Sequence, residues 1–121
     1  METNIQYQEQ LQYAEVYISD MLELKNIFQQ VQNTGTVNSE FGLPFLLAKK
    51  KDEVIAFASL VINEKGGVTF KVYDRSETQS SEKKSFISRV ESYFKKNNTP
   101  NFRNPEQLKN SIYRMISWLN Q

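Results

Sequence analysis

The chain has 121 residues, 39% apolar, with 8 Phe, 6 Tyr and 1 Trp. That is enough for one hydrophobic core and too little for two ordinary domains, so residues 1–121 read as a single folded domain. With no Cys and no His, disulfides, thiolate nucleophiles, zinc-thiolate sites and Ser-His or Cys-His catalysis are excluded, leaving carboxylate, Tyr, Lys or backbone chemistry. The net charge of +1 is unevenly spread: residues 1–33 carry Glu2, Glu9, Glu15, Asp20 and Glu23 against Lys25, a net of −4, so the remainder is +5.

The first residues, "METNIQYQEQLQY", lack the basic and apolar regions of a leader, and no long apolar run follows, so a cytoplasmic protein without membrane contact is expected. Residues 11–18, "LQYAEVYI", are rich in aromatic and β-branched types and read as a strand. Asp20, with Glu23 three residues on, then opens a helix over about 20–33 whose stripe is Met21, Leu24, Phe28 and Val31. A single helix through both segments is the alternative, since Ala14, Tyr17 and Ile18 continue that stripe.

Loop chemistry with one helical turn, "QNTGTVNSEFGLP", leads into an antiparallel meander of 45–50, 53–62 and 68–74. Its hairpins turn at Lys51-Asp52 and at "NEKGG", where Gly66 and Gly67 take positive φ at little cost. The middle strand is apolar on both faces under strict alternation, with Ile55, Phe57 and Val61 on one side and Val54, Ala56, Leu60 and Ile62 on the other. Helices must therefore cover both faces of the sheet. A helix over about 81–96 follows, with Phe86, Val90, Tyr93 and Phe94 as its stripe. Asn104, Pro105 and Glu106 start the last one, which runs to Leu119 on Leu108, Ile112, Met115, Ile116 and Leu119. The expected fold is α+β, an antiparallel meander sheet of three to four strands with helices packed on it.

This order of elements resembles the first two-thirds of the acetyl-CoA-dependent N-acetyltransferases, the GNAT superfamily. "FLLAKKKDEVIAFASLVINEKGGVTFKVYDRS" is similar to that family's central meander, and "ISRVESYFKKNN" resembles the helix after its cofactor loop. "IYRMISW", residues 112–118, looks like the family's "LYeklGF", with Tyr113 at the Tyr, Ser117 at the Gly and Trp118 at the Phe. The resemblance spans about residues 11–118. It implies a pyrophosphate-wrapping loop between the last strand and the following helix, and a Tyr that protonates the leaving thiolate.

The chain departs from the family at that loop. The glycines of the pattern R/Q-x-x-G-x-G/A fall within Gln79–Lys83, "QSSEK", where no glycine remains and Glu82 adds negative charge. Ser80, Ser81 and Lys83 are the candidate cofactor contacts under the resemblance. The competing assignment makes Ser80 or Ser81 the N-cap of the next helix, using the N–H groups a cofactor would take. Too few residues separate the last two helices for a fifth strand, and the chain ends three residues after Trp118, without the family's closing hairpin.

Tyr113 is the catalytic candidate under the resemblance; otherwise it is a packing residue with its hydroxyl at the rim. Lys49, Lys50 and Lys51 read as a solvated hairpin tip, and Glu40 and Glu53 as possible bases that nothing pairs with an acid or a metal. From Lys83 to Arg114 eight basic residues face two acidic ones, a pattern that a nucleic-acid partner or solvated helix faces both explain. The leading expectation is a non-catalytic binding or interaction module with no metal and no cofactor, its partner an unidentified protein or a second copy. A divergent acyl-CoA-dependent N-acyltransferase, the one reading that brings in acetyl-CoA, is the alternative, and a nucleic-acid accessory protein the third.

Overall fold

A computed structural model describes residues 11–75 and 78–121. In chain order these form β1 (Leu11–Glu15), a 3-10 turn (Ile18–Asp20), α1 (Met21–Gln32), a second 3-10 turn (Ser39–Phe41), and the strands β2 (Leu43–Lys50), β3 (Glu53–Ile62) and β4 (Val68–Asp74). The helices α2 (Ser80–Lys96), α3 (Pro100–Arg103) and α4 (Pro105–Leu119) follow. The four strands make one antiparallel sheet in the order β1-β2-β3-β4.

The strand reading of the first segment holds over Leu11–Glu15. Leu11 and Tyr13 are half-buried while Gln12 and Ala14 are exposed, the period of two that pairing with β2 imposes. Its end falls short of Ile18, because the chain enters the 3-10 turn in which Asp20 accepts the Tyr17 N–H at 2.8 Å. In α1 the buried stripe is Met21, Leu24, Ile27 and Phe28, and Val31 is exposed instead of buried. Asn33 ends the helix in the left-handed conformation (φ 52°) that suits an Asn C-cap.

Strict alternation fails in β3. Lys49 pairs with Val54 and Ala48 with Ala56, so Ile55 is an extra residue in a β-bulge. The bulge turns Val54 to the side of Phe57, against α1, whereas Ala56, Ala58 and Leu60 point to the other face and Ile55 packs with them. A second irregularity between Pro44 and Leu46 leaves Phe45 without an opposite residue, and both Phe45 and Leu46 join the second face.

Both faces of the sheet are covered. On one, α1 packs Phe28 edge-on to Phe41 and Tyr73, at 5.4 and 5.3 Å between ring centroids, over Leu47, Val54 and Phe57. Burying one such ring is worth about 1.5–3 kcal/mol. On the other, Phe86 and Val90 of α2 and Leu108 and Ile112 of α4 meet Phe45, Leu46 and Leu60. Between them Phe102 of α3 packs on Phe45 at 5.0 Å. The C-terminal Leu119 of α4 reaches the first cluster, so this helix links the two halves of the core. The short α3 lies where a plain connection is expected from the sequence; Thr99-Pro100 starts it as Asn104-Pro105 starts α4.

Candidate functional site

The junction between β4 and α2 is built on the bulge. Pairing between β3 and β4 ends at Ala56 and Asp74, which leaves the carbonyls of Val54 and Ile55 without ladder partners on that side. Arg75 takes both: its backbone N–H donates to Ile55 O at 2.9 Å and its Nε to Val54 O at 2.8 Å. Arg75 also approaches Glu23 of α1 at 3.6 Å. The Thr78 N–H donates to Arg75 O at 3.0 Å, which brings the chain round to the start of α2.

Gln79 is the N-cap of α2, not Ser80 or Ser81. Glu82 sits at the third helical position and accepts the Gln79 N–H at 3.2 Å, and this reach-back fixes where the helix begins. Ser80 and Ser81 are therefore exposed residues of the first turn. The second oxygen of Glu82 meets Lys50 Nζ at 2.8 Å, with the two side chains 12% and 21% exposed. Lys50 thus bridges to the helix and is not a solvated part of the hairpin tip. Lys83 pairs with Asp74 at 3.3 Å.

A pocket of about 270 Å³ opens here, lined by Lys50, Glu53, Ile55, Arg75, Thr78 and Glu82. It holds two basic and two acidic side chains, so it carries no net charge to attract a pyrophosphate. Ser80, Ser81 and Lys83 are not among its lining residues.

Tyr113 lies elsewhere. It is 73% exposed on α4 and borders a groove of about 510 Å³ with Glu40, Val61, Glu64, Lys71 and Lys109. The first pocket adjoins Ile55 and this groove adjoins Val61, which β3 separates by about 20 Å at roughly 3.3 Å per residue. The structure therefore brings Tyr113 together with Lys71 and Glu40, themselves paired at 3.4 Å, and not with Ser80, Ser81 or Lys83.

Two other phenols are engaged. The Tyr73 hydroxyl donates to Glu40 O beneath the groove, and burial, with the Glu40 charge second, pushes its pKa well above the usual tyrosine range. Tyr93 donates to Glu15 Oε2 at 2.9 Å, and burial, then this carboxylate, raises its pKa too. Both hold their protons at neutral pH. Part of the basic C-terminal third is also engaged within the fold. Arg103 donates to the carbonyls of Phe94, Lys95 and Asn97 at the end of α2, and Arg89 lies over the Tyr13 ring at 4.6 Å.

Among the described residues no cluster of three carboxylates gathers to hold a metal, and no helix is long and apolar enough to cross a membrane. No protein-family model, curated protein or solved structure matches this chain.

Proposed function

We propose that this is a cytoplasmic binding or interaction module related to the GNAT fold, which performs no acyl transfer and takes as partner a protein or a second copy of itself. One observation carries this reading: the start of α2, where the resemblance would seat a pyrophosphate, is closed on itself by Glu82. The carboxylate accepts the Gln79 N–H and pairs with Lys50, so the positive end of the helix already has its anion. An incoming pyrophosphate would have to displace that carboxylate against like charge.

The acyltransferase alternative rests on the pocket beside Lys50 and Arg75, whose two cations are matched by Glu53 and Glu82. The engagement of Lys83, Arg89 and Arg103 within the fold weighs against the nucleic-acid reading. Amide resonances of residues 78–84 during titration with acetyl-CoA test the proposal. Unmoved resonances support it. Saturable shifts confined to that turn would sink it in favour of the acyltransferase.

A further inference from the structure

Two of the large apolar side chains left exposed among the described residues, Ile18 and Trp118, line one concavity, while Tyr113 borders a different groove. Ile18, 65% exposed, shares a concavity of about 390 Å³ with Leu43, Met115 and Trp118, the last 45% exposed. Tyr17 precedes it and Leu22 follows about one turn on, each 67% exposed. The patch stands on a fixed base. Lys25 Nζ donates to Leu119 O at the end of α4 at 2.6 Å, and Asn120 exchanges two hydrogen bonds with the backbone of Val37. Little order would have to be gained on docking.

The composition is that of a protein-protein contact. Trp, Tyr and Arg dominate the centres of such interfaces, and here Arg114 lines the concavity beside Trp118 with no ion-pair partner among the described residues. The charges fall on two sides. Asp20 closes the 3-10 turn that carries Ile18, and Arg114 lines the concavity from α4. Glu15 is bonded to Tyr93 and Glu23 faces Arg75, whereas Asp20 accepts the Tyr17 N–H through one oxygen and keeps the other for a partner. A surface with acid on one border and base on the other is self-complementary under a twofold axis, which brings each Arg114 to the Asp20 of the other copy.

Resting on the binding-module reading, we propose that this patch docks a second copy of the chain as a twofold dimer, with Trp118 and Ile18 central and Arg114–Asp20 pairs at the rim. The open edge of β4 is the rival surface, since its outer side makes no backbone hydrogen bond to described residues. Lys71 in the middle of that strand, held by Glu40, blunts it against strand addition.

Sedimentation of the full chain from low to high micromolar concentration tests the proposal, with circular dichroism to confirm that each variant is folded. A dimer is expected. Trp118→Lys, Arg114→Asp and Asp20→Arg should each weaken it at least about tenfold, and the double variant Asp20→Arg/Arg114→Asp should recover most of the loss. A protein monomeric throughout, a dimer indifferent to Trp118→Lys and Arg114→Asp, or a double variant no better than the singles would overturn it. The acetyl-CoA titration on the same samples separates the two readings. A monomer that ignores acetyl-CoA overturns the second copy and leaves the binding module standing. A patch-dependent dimer that binds acetyl-CoA at residues 78–84 keeps the docking surface and overturns the module.

Discussion

Lys50 and Glu82 meet at 2.8 Å between the end of β2 and the first turn of α2, and the same carboxylate accepts the N-cap amide of that helix. One side chain thus ties the hairpin to the helix and occupies the helix N-terminus. Replacing Glu82 with Ala removes the reach-back bond and the pair together and should cost about 1–2 kcal/mol. Lys50→Ala should be destabilising as well. Because both side chains are largely shielded, a double-mutant cycle from urea unfolding should give a coupling of about 0.5–1 kcal/mol. Strict additivity would mean that the two groups do not act on each other.

Tyr73 gives a pH signature. Its folded pKa lies above the ordinary value of 10.0, so the folded state holds the phenolic proton more tightly than the unfolded chain does. The resulting stability is fully present below pH 10 and is lost as the pH rises further, at up to about 1.4 kcal/mol per pH unit from this one group. Tyr73→Phe removes the bond to Glu40 O and should cost about 1 kcal/mol at neutral pH. It should also flatten the alkaline slope in denaturant titrations. A slope unchanged by the substitution would assign the alkaline loss to other groups.

Of the four glycines, Gly42 has the tightest surroundings. It has φ 68°, and a Cβ there would stand 2.2 Å from Leu60 O and 2.7 Å from Val61 Cγ1. Gly42→Ala should therefore destabilise by about 3 kcal/mol, from backbone strain and from the displacement of β3 together. The same substitution at Gly35, where no heavy atom lies within 4 Å of the added Cβ, should be close to neutral. Thermal melts of the two variants check the contrast.

The elements were legible where local chemistry decides them. Lys51 and Asp52, at φ 55° and 66°, form the two-residue hairpin that the sequence places there, and Asn104 caps α4 through Glu106 and Gln107. The Ile55 bulge was not legible, because Val54 and Ile55 are both apolar and either can face either side until β2 sets the register. Trp118 enters the sequence reading only as the match to the family's Phe, and its exposure beside Ile18 follows from how α4 ends against α1. The candidate site was legible as a location and not as a constellation. Lys50 and Glu82 come from different elements, and the capping register of Glu82 moves Ser80 and Ser81 outward. Tyr113 fell on its expected helix, but the path of α4 over the sheet decides what stands near it.

The central claim, that the start of α2 is a closed connector, is tested most directly by calorimetry with and without millimolar acetyl-CoA. A ligand at a hundredfold excess over its dissociation constant adds about 2.7 kcal/mol, several degrees in Tm for a domain of this size. The account predicts no shift for the native chain. A reproducible upward shift, abolished by charge reversal at Lys83 and Lys84, would contradict it and restore acyl-CoA chemistry to this fold.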